Sequence, residues 1–208
     1  MRTITATLFI ALDGVVGGEE EMGMWHFPYF NEELGDAAMG AYKPADTVLL
    51  GRVTYDSFAG AWPDREKAGE EDAAFAKQLG DMRKVVVSNK ELEFTWRNSE
   101  QLRGDLVEGV TALKNEPGDA GIVIPGSISL VRQLLNAGLV DRVHLMVHPI
   151  AARTGFRLFD QGQPPIPLKL ISSQAFQTGV LNLVYAPAAA PGDAGYEDAK
   201  SHVPQSDQ

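Results

Sequence analysis

Arg52 directly follows Gly51 at the end of the short apolar run Val48-Leu49-Leu50, and Thr54, Tyr55 and Phe58 continue beyond it with helical spacing. A buried strand that turns through a glycine into a helix points the first backbone N–H groups of that helix past the carboxyl edge of the sheet. An arginine at this place adds a permanent cation and a planar fork of donors, which is chemistry that holds a phosphate. In isolation the motif reads first as an ordinary βα turn with a solvated arginine. It recurs, however. Residues 84–88 (KVVVS) form a second apolar run left by Ser88, Asn89 and Lys90, and residues 122–124 form a third, left by Pro125, Gly126 and Ser127 with Ile128 opening a helical stripe. In an open parallel sheet three such junctions line one edge, where nucleotides bind. No G-x-G-x-x-G follows the first strand and no Walker lysine motif is present, so neither an ordinary Rossmann site nor a P-loop fits.

A second group of residues lies upstream. Residues 16–25 contain three glycines and three consecutive glutamates, followed by Met22, Met24 and Trp25, a composition that suits a mobile lid. Trp25, Tyr29 and Phe30 beside it are either core or a stacking surface for a flat heterocycle. His26 is a candidate proton shuttle, against the plain reading of an exposed loop histidine. Glu32, Glu33 and Asp36 read as a solvated helix face, with Asp36 the candidate general acid if one of them turns inward. His144 and His148, four apart on a strand, share a face but stand roughly 13 Å apart along it, too far to ligate one metal.

The elements that must position these residues alternate strand, helix and strand. Residues 2–10 read as the first strand, and a helical stripe opened by Pro28 runs from Phe30 to Ala41. Residues 60–69, with Trp62-Pro63, read as a polar loop, residues 94–98 as a further strand, and 106–113 and 128–135 as helices. Residues 142–149 alternate with period two, and 168–176 with 180–185 read as a terminal hairpin. The pattern predicts one α/β domain, 1–187, whose mostly parallel sheet carries helices on both faces and an antiparallel C-terminal edge, followed by a disordered tail, 188–208. The 208 residues include no cysteine, which removes disulfide and thiolate chemistry and makes a cytoplasmic location the expectation. No apolar run is long enough to span a bilayer, and the net charge of −10 argues against a nucleic-acid surface.

Four segments carry a family resemblance: LDGVVG at 12–17, LLGRVTYDSF at 49–58, KVVVSN at 84–89, and IPGSISLVRQLLNAGLVDRVHLMVHPI at 124–150 with GFRLF at 155–159. In this order they resemble the dihydrofolate reductase-like superfamily, in the branch shared with the C-terminal reductase domain of bifunctional riboflavin biosynthesis proteins. The resemblance implies NADPH as cofactor and hydride transfer as reaction. By analogy Gly51, Arg52 and Thr54 hold cofactor phosphates, Ser88, Asn89 and Lys90 meet the adenosine 2′-phosphate end, and Gly126, Ser127 and Ile128 cradle the pyrophosphate. The lid that begins at Val16 then covers the nicotinamide, and Trp25, Tyr29 and Phe30 face the substrate. True dihydrofolate reductases carry an acid five residues after the matching tryptophan, where this chain has Phe30, so the expected substrate is a small flat heterocycle other than dihydrofolate. Pro125 replaces the first glycine of a Gly-Gly pair, and Arg153-Thr154 replaces smaller residues. The alternatives are reduction of a ribosylaminopyrimidine in riboflavin synthesis, and a non-catalytic protein that sequesters a ligand or senses a cofactor. Related proteins pair, and the alternating surface of 142–149 with the terminal hairpin makes a homodimer the expectation.

Overall fold

The computed structural model describes residues 1–17, 20–159, 162–190, 192, 195–200 and 202, those at 20–23 and 197 by backbone alone. Eight strands form one sheet. The six parallel ones, in spatial order, are β5 (Ser99–Gln101), β4 (Arg83–Val87), β3 (Ala45–Gly51), β6 (Gly121–Pro125), β1 (Ile4–Ala11) and β7 (Arg142–His148). Beyond β7 the hairpin of β10 (Leu181–Pro187) and β9 (Leu168–Ala175) closes the order, with β10 antiparallel to both neighbours. A separate two-stranded ribbon pairs β2 (Val15–Gly17) with β8 (Phe156–Arg157). The mostly parallel sheet and its antiparallel edge are those expected from the sequence.

Parallel strands are buried on both faces, which is why their sequences run apolar without alternation. Leu49 of β3 joins Ile4, Leu8, Ile10 and Ile124 under α4 (Leu106–Asn115) and α5 (Ile128–Asn136). Its neighbours Val48 and Leu50 point the other way, toward Tyr55 of α2 (Arg52–Ala68) and Leu79 of α3 (Ala73–Asp81). On that same side α1 (Glu32–Gly40) sets Leu34 against Met146, Phe176 and Val180.

Five sequence expectations are corrected. The helix after Pro28 begins at Glu32, because Asn31 accepts the Leu34 amide at 3.0 Å and caps it; Phe30 lies outside. The expected polar loop at 60–69 is helix, since α2 runs through Pro63 to Ala68 and stops at left-handed Gly69. An interior proline costs about 3 kcal/mol. Beside it Trp62 packs edge-on against Phe75, ring centroids 5.3 Å apart, and Arg65 lies over the Trp62 ring. Residues 94–98 form no strand; the fifth strand is Ser99–Gln101. The expected lid contains strand β2 and a 3-10 helix, Glu20–Tyr29, while Gly18 and Glu19 lie outside the described residues. In the tail a short helix, α6 (Tyr196–Lys200), stands where no regular structure is expected.

Three cations are buried far from the carboxyl edge. Arg2 reaches Thr47, Asp46 and the carbonyls of Ala120 and Gly121, and Lys114 pairs with Asp141 at 2.7 Å. Lys84 donates to the carbonyls of Leu79, Gly80 and Met82 at the end of α3, under Trp96, and burial pushes its pKa down to about 8. These groups tie strand starts and a helix end together.

Candidate cofactor and substrate site

Five strands end side by side along the carboxyl edge in the order β4, β3, β6, β1, β7. At the usual strand spacing they span about 19 Å. The three junctions picked out by the sequence occupy the first three places. Gly51 pairs with Val87, so Arg52 and Ser88 leave adjacent strands at one level, and Gly126-Ser127 leaves β6 next to them.

The centre of this edge is a clasp. Ser127 Oγ accepts the Gly51 amide at 2.7 Å and donates to Thr54 Oγ1 at 2.7 Å, joining the start of α5 to the start of α2. A Cβ on Gly51 would stand 3.2 Å from that hydroxyl, so the glycine permits the approach. The serine itself adopts a left-handed conformation (φ 58°) after Gly126 (φ 94°), which wraps the backbone around the end of β6. Neither Gly51 nor Ser127 caps its helix with a side chain, so both helix starts present free amides and positive dipole ends at the same place. Ile128 follows, half-buried, with Gly17 of β2 near its Cδ1. Val16 is half-buried against the core beneath α5.

Arg52 is about half exposed and paired with Asp56 at 2.7 Å, one turn along α2. On the neighbouring junction Ser88 Oγ accepts the Lys90 amide at 3.0 Å, and Gln101 Nε2 holds the carbonyls of Ser88 and Lys90. Asn89 and Lys90 are exposed. The turn is thus stiffened while its side chains face solvent. At β1, Asp13 accepts the amides of Ala152 and Arg153, and Arg153 occupies a left-handed position (φ 65°) there.

The far end of the edge is aromatic. His26 stacks on Phe9 (4.8 Å, 22°) and lies against Trp25 (5.8 Å) and Phe27 (4.2 Å). Phe30 meets Phe9 edge-on at 6.4 Å and remains half exposed. Tyr29 is half-buried and packs with the α1 cluster. Asp36 is exposed, two residues from buried Leu34 and therefore on the outward side of α1, and does not join this crevice. Glu33 is used structurally, accepting the Gln177 amide at 2.9 Å.

Phe9 carries no signal in the sequence, and His148 stands out there only as a histidine four residues from His144. Phe9 lies between His26 and the third aromatic neighbour, His148, which is fully buried at the end of β7. The period-two pattern of 142–148 places His144, Met146 and His148 on one face, but which face is covered depends on α1 and the 3-10 segment. His144 is held by Thr7 (3.0 Å) and Asn182 (2.5 Å), and burial lowers its pKa. Among the described residues no cluster of three potential metal ligands occurs, and no helix is long and apolar enough to cross a membrane.

Residues 2–182 match the family described as the RibD C-terminal domain. The uncharacterized protein YyaP of Bacillus subtilis is 28% identical over 184 residues, covering 88% of this chain and 94% of its own. A putative riboflavin biosynthesis protein from Shewanella superposes with a TM-score of 0.67 at 19% identity, over 91% of this chain and all of that one. Dihydrofolate reductase of Enterococcus faecalis, solved with NADP(H), gives 0.57 at 14% identity, over 90% and 97%. The last two likenesses show that the fold is dihydrofolate reductase-like.

Proposed function

Because the chain belongs to the RibD C-terminal domain family, we propose that it is an NADPH-dependent reductase that passes a hydride to a small flat heterocycle other than dihydrofolate. The observation that carries this reading is the Ser127 clasp, which sets two uncapped helix starts beside each other at the middle of the carboxyl edge. Paired amides and dipole ends form a ready anion site, and the left-handed Gly126-Ser127 turn leaves open space above Gly126. The residues fit a dinucleotide laid along the edge. Gly51, Thr54, Gly126, Ser127 and Ile128 would hold the pyrophosphate, Arg52 with Ser88, Asn89 and Lys90 the 2′-phosphate end, and Val16 would border the nicotinamide side.

When bound, NADPH supplies the hydride. The chain's own part is orientation and exclusion of water. Trp25, Tyr29 and Phe30, with Phe9, offer flat walls for a ring, and His26, stacked on Phe9, is placed to hold a proton at its imidazole. Titration with NADPH and NADH tests the cofactor site. Loss of reduced-nicotinamide absorbance against a panel of pterins, flavins and pyrimidines, a ribosylaminopyrimidine included, tests turnover. Turnover of the ribosylaminopyrimidine alone places the protein in riboflavin synthesis, and binding without consumption across the panel supports a non-catalytic role.

A further inference from the structure

We infer that His148 and Trp25 are the polar pair that reads the substrate, an acceptor beside a donor, so that the ring selected is a neutral heterocycle carrying adjacent N–H and C=O groups. The inference rests on the reading above in one respect, that the aromatic crevice receives the substrate.

His148 Nδ1 lies 2.8 Å from the Met146 carbonyl oxygen. A carbonyl only accepts, so the proton sits on Nδ1. Burial lowers the pKa of this imidazole, opposed by the carbonyls of Met146 and Ile10 and assisted by His26, and the ring is neutral at neutral pH. Its Nε2 therefore presents a bare lone pair, fully buried and with no hydrogen-bond partner. Trp25 Nε1 is the complement. It is a donor only, it is also buried without a partner, and its ring centroid is 5.1 Å from that of His148. Around the pair stand Phe9 (5.6 Å), Tyr29 (5.7 Å) and His26 (6.2 Å).

His144 supplies the comparison. It lies on the same strand face, is nearly as buried, and has both ring nitrogens satisfied, by Thr7 and Asn182. A buried histidine in this sheet can thus be fully paired, and His148 is not. Unpaired buried polar groups are costly and cluster where a ligand completes them. One amide-like edge meets both needs: its N–H donates to Nε2 of His148 and its C=O accepts from Nε1 of Trp25. The aromatic walls require that edge to belong to a flat ring, and the neutral imidazole favours an uncharged one. Met24 and Phe27, which flank the pair on the same 3-10 segment, face solvent.

The probe is lumazine, a planar ring with two N–H groups each next to a C=O, compared with its derivative methylated on both of those ring nitrogens. Fluorescence titration of the full chain should show lumazine binding about tenfold tighter than the methylated ring, the scale of an unpaired buried partner. In His148→Phe the two should bind alike. In the wild type, nitrogen NMR should place the His148 proton on Nδ1 and show the Nε2 resonance moving when lumazine is added, a readout independent of whether the variant folds. Equal binding to the wild type, binding of neither ring, an Nε2 resonance that does not move, or undiminished preference in a folded His148→Phe overturns the assignment. NADPH titration of the wild type tests the reductase reading separately, because lumazine discrimination is read without cofactor.

Discussion

Ser127 Oγ stands 2.7 Å from the Gly51 nitrogen, so a hydroxyl on one βα junction satisfies the backbone of another. The two residues are 76 apart in sequence, and their bond fixes how far the starts of α2 and α5 can separate. Ser127→Gly and Ser127→Ala divide the roles of this residue. Glycine accepts the left-handed backbone without penalty but removes the hydroxyl, whereas alanine removes the hydroxyl and keeps the strain. Glycine should therefore cost little stability, the lost hydrogen bond of about 1 kcal/mol being offset by relaxed backbone. Alanine should cost about 1 kcal/mol more. Both should weaken NADPH by about tenfold, because the anion site depends on the two helix starts staying together. Urea unfolding and calorimetric titration of the two variants check this, and a loss of NADPH affinity confined to alanine would assign the effect to strain.

Arg52 now holds Asp56, an exposed pair one helical turn apart, and such pairs contribute at most about 0.5 kcal/mol. Arg52→Ala should leave stability nearly unchanged. If the guanidinium turns from Asp56 to a cofactor phosphate, the same change should cost about 1.5 to 3 kcal/mol of NADPH binding. A 2′-phosphate contact spares NADH, and a pyrophosphate contact weakens both nucleotides alike. Arg52→Lys should recover only part, since a point charge does not reproduce the fork. Titrations at fixed ionic strength separate these outcomes, and unchanged affinity for both nucleotides would make Arg52 a surface residue.

The contrast between Arg52 and His148 shows where sequence reasoning reaches its end. The junctions at Gly51, Ser88 and Gly126 are legible because each closes a continuous apolar run, and burial on both faces leaves such strands no other reading. The i,i+4 pairing of Arg52 with Asp56 is likewise local. The path of α2 through Pro63 is not, because it depends on Trp62 finding Phe75 on another helix. Nor is the environment of His148, which is set by Trp25 and Phe9 arriving from elements more than 120 residues away. Phe30 belongs with these, since the apolar stripe reads it into the helix. Its position before the helix follows from the Asn31 cap, and its half exposure follows from how the 3-10 segment lies across Phe9.

Two histidines whose pKa is lowered by burial make stability depend on pH in a definite direction. In the unfolded chain each titrates near its ordinary value of 6.5, whereas in the folded protein each stays neutral to lower pH. Between the folded value and 6.5 the unfolded state binds more protons, so stability is full above this window and falls as pH falls through it. Each histidine contributes a slope of at most about 1.4 kcal/mol per pH unit. Urea unfolding from neutral pH downward should show the decline beginning near 6.5, before most carboxylates titrate. His144→Asn should remove part of the slope whatever it does to stability at neutral pH. A flat profile from neutral pH to about 5 would show that the imidazoles charge freely in the folded state.

The last strand of the sheet bears on assembly. Strand β9 is eight residues long, exposed along nearly its whole length, and among the described residues hydrogen-bonded on one side only, to β10. Edge strands of this length are normally blunted by proline, a bulge or several charges, because free N–H and C=O groups invite another strand. Here the blunting is slight: the ladder with β10 slips by one residue at Ile171, Lys169 is the one charged residue, and Leu170, Ile171 and the neighbouring Leu181 are each about half exposed. A second copy of the chain laid antiparallel against β9 would pair the backbone and cover these side chains with one self-complementary contact. Light scattering at micromolar concentration should return the mass of two chains. Ile171→Lys, which adds a charge at this edge without touching the buried core, should shift the population toward one chain while leaving NADPH affinity intact. A wild-type mass of a single chain would show that the edge stays open, and a dimer that survives Ile171→Lys would place the contact elsewhere on the molecule.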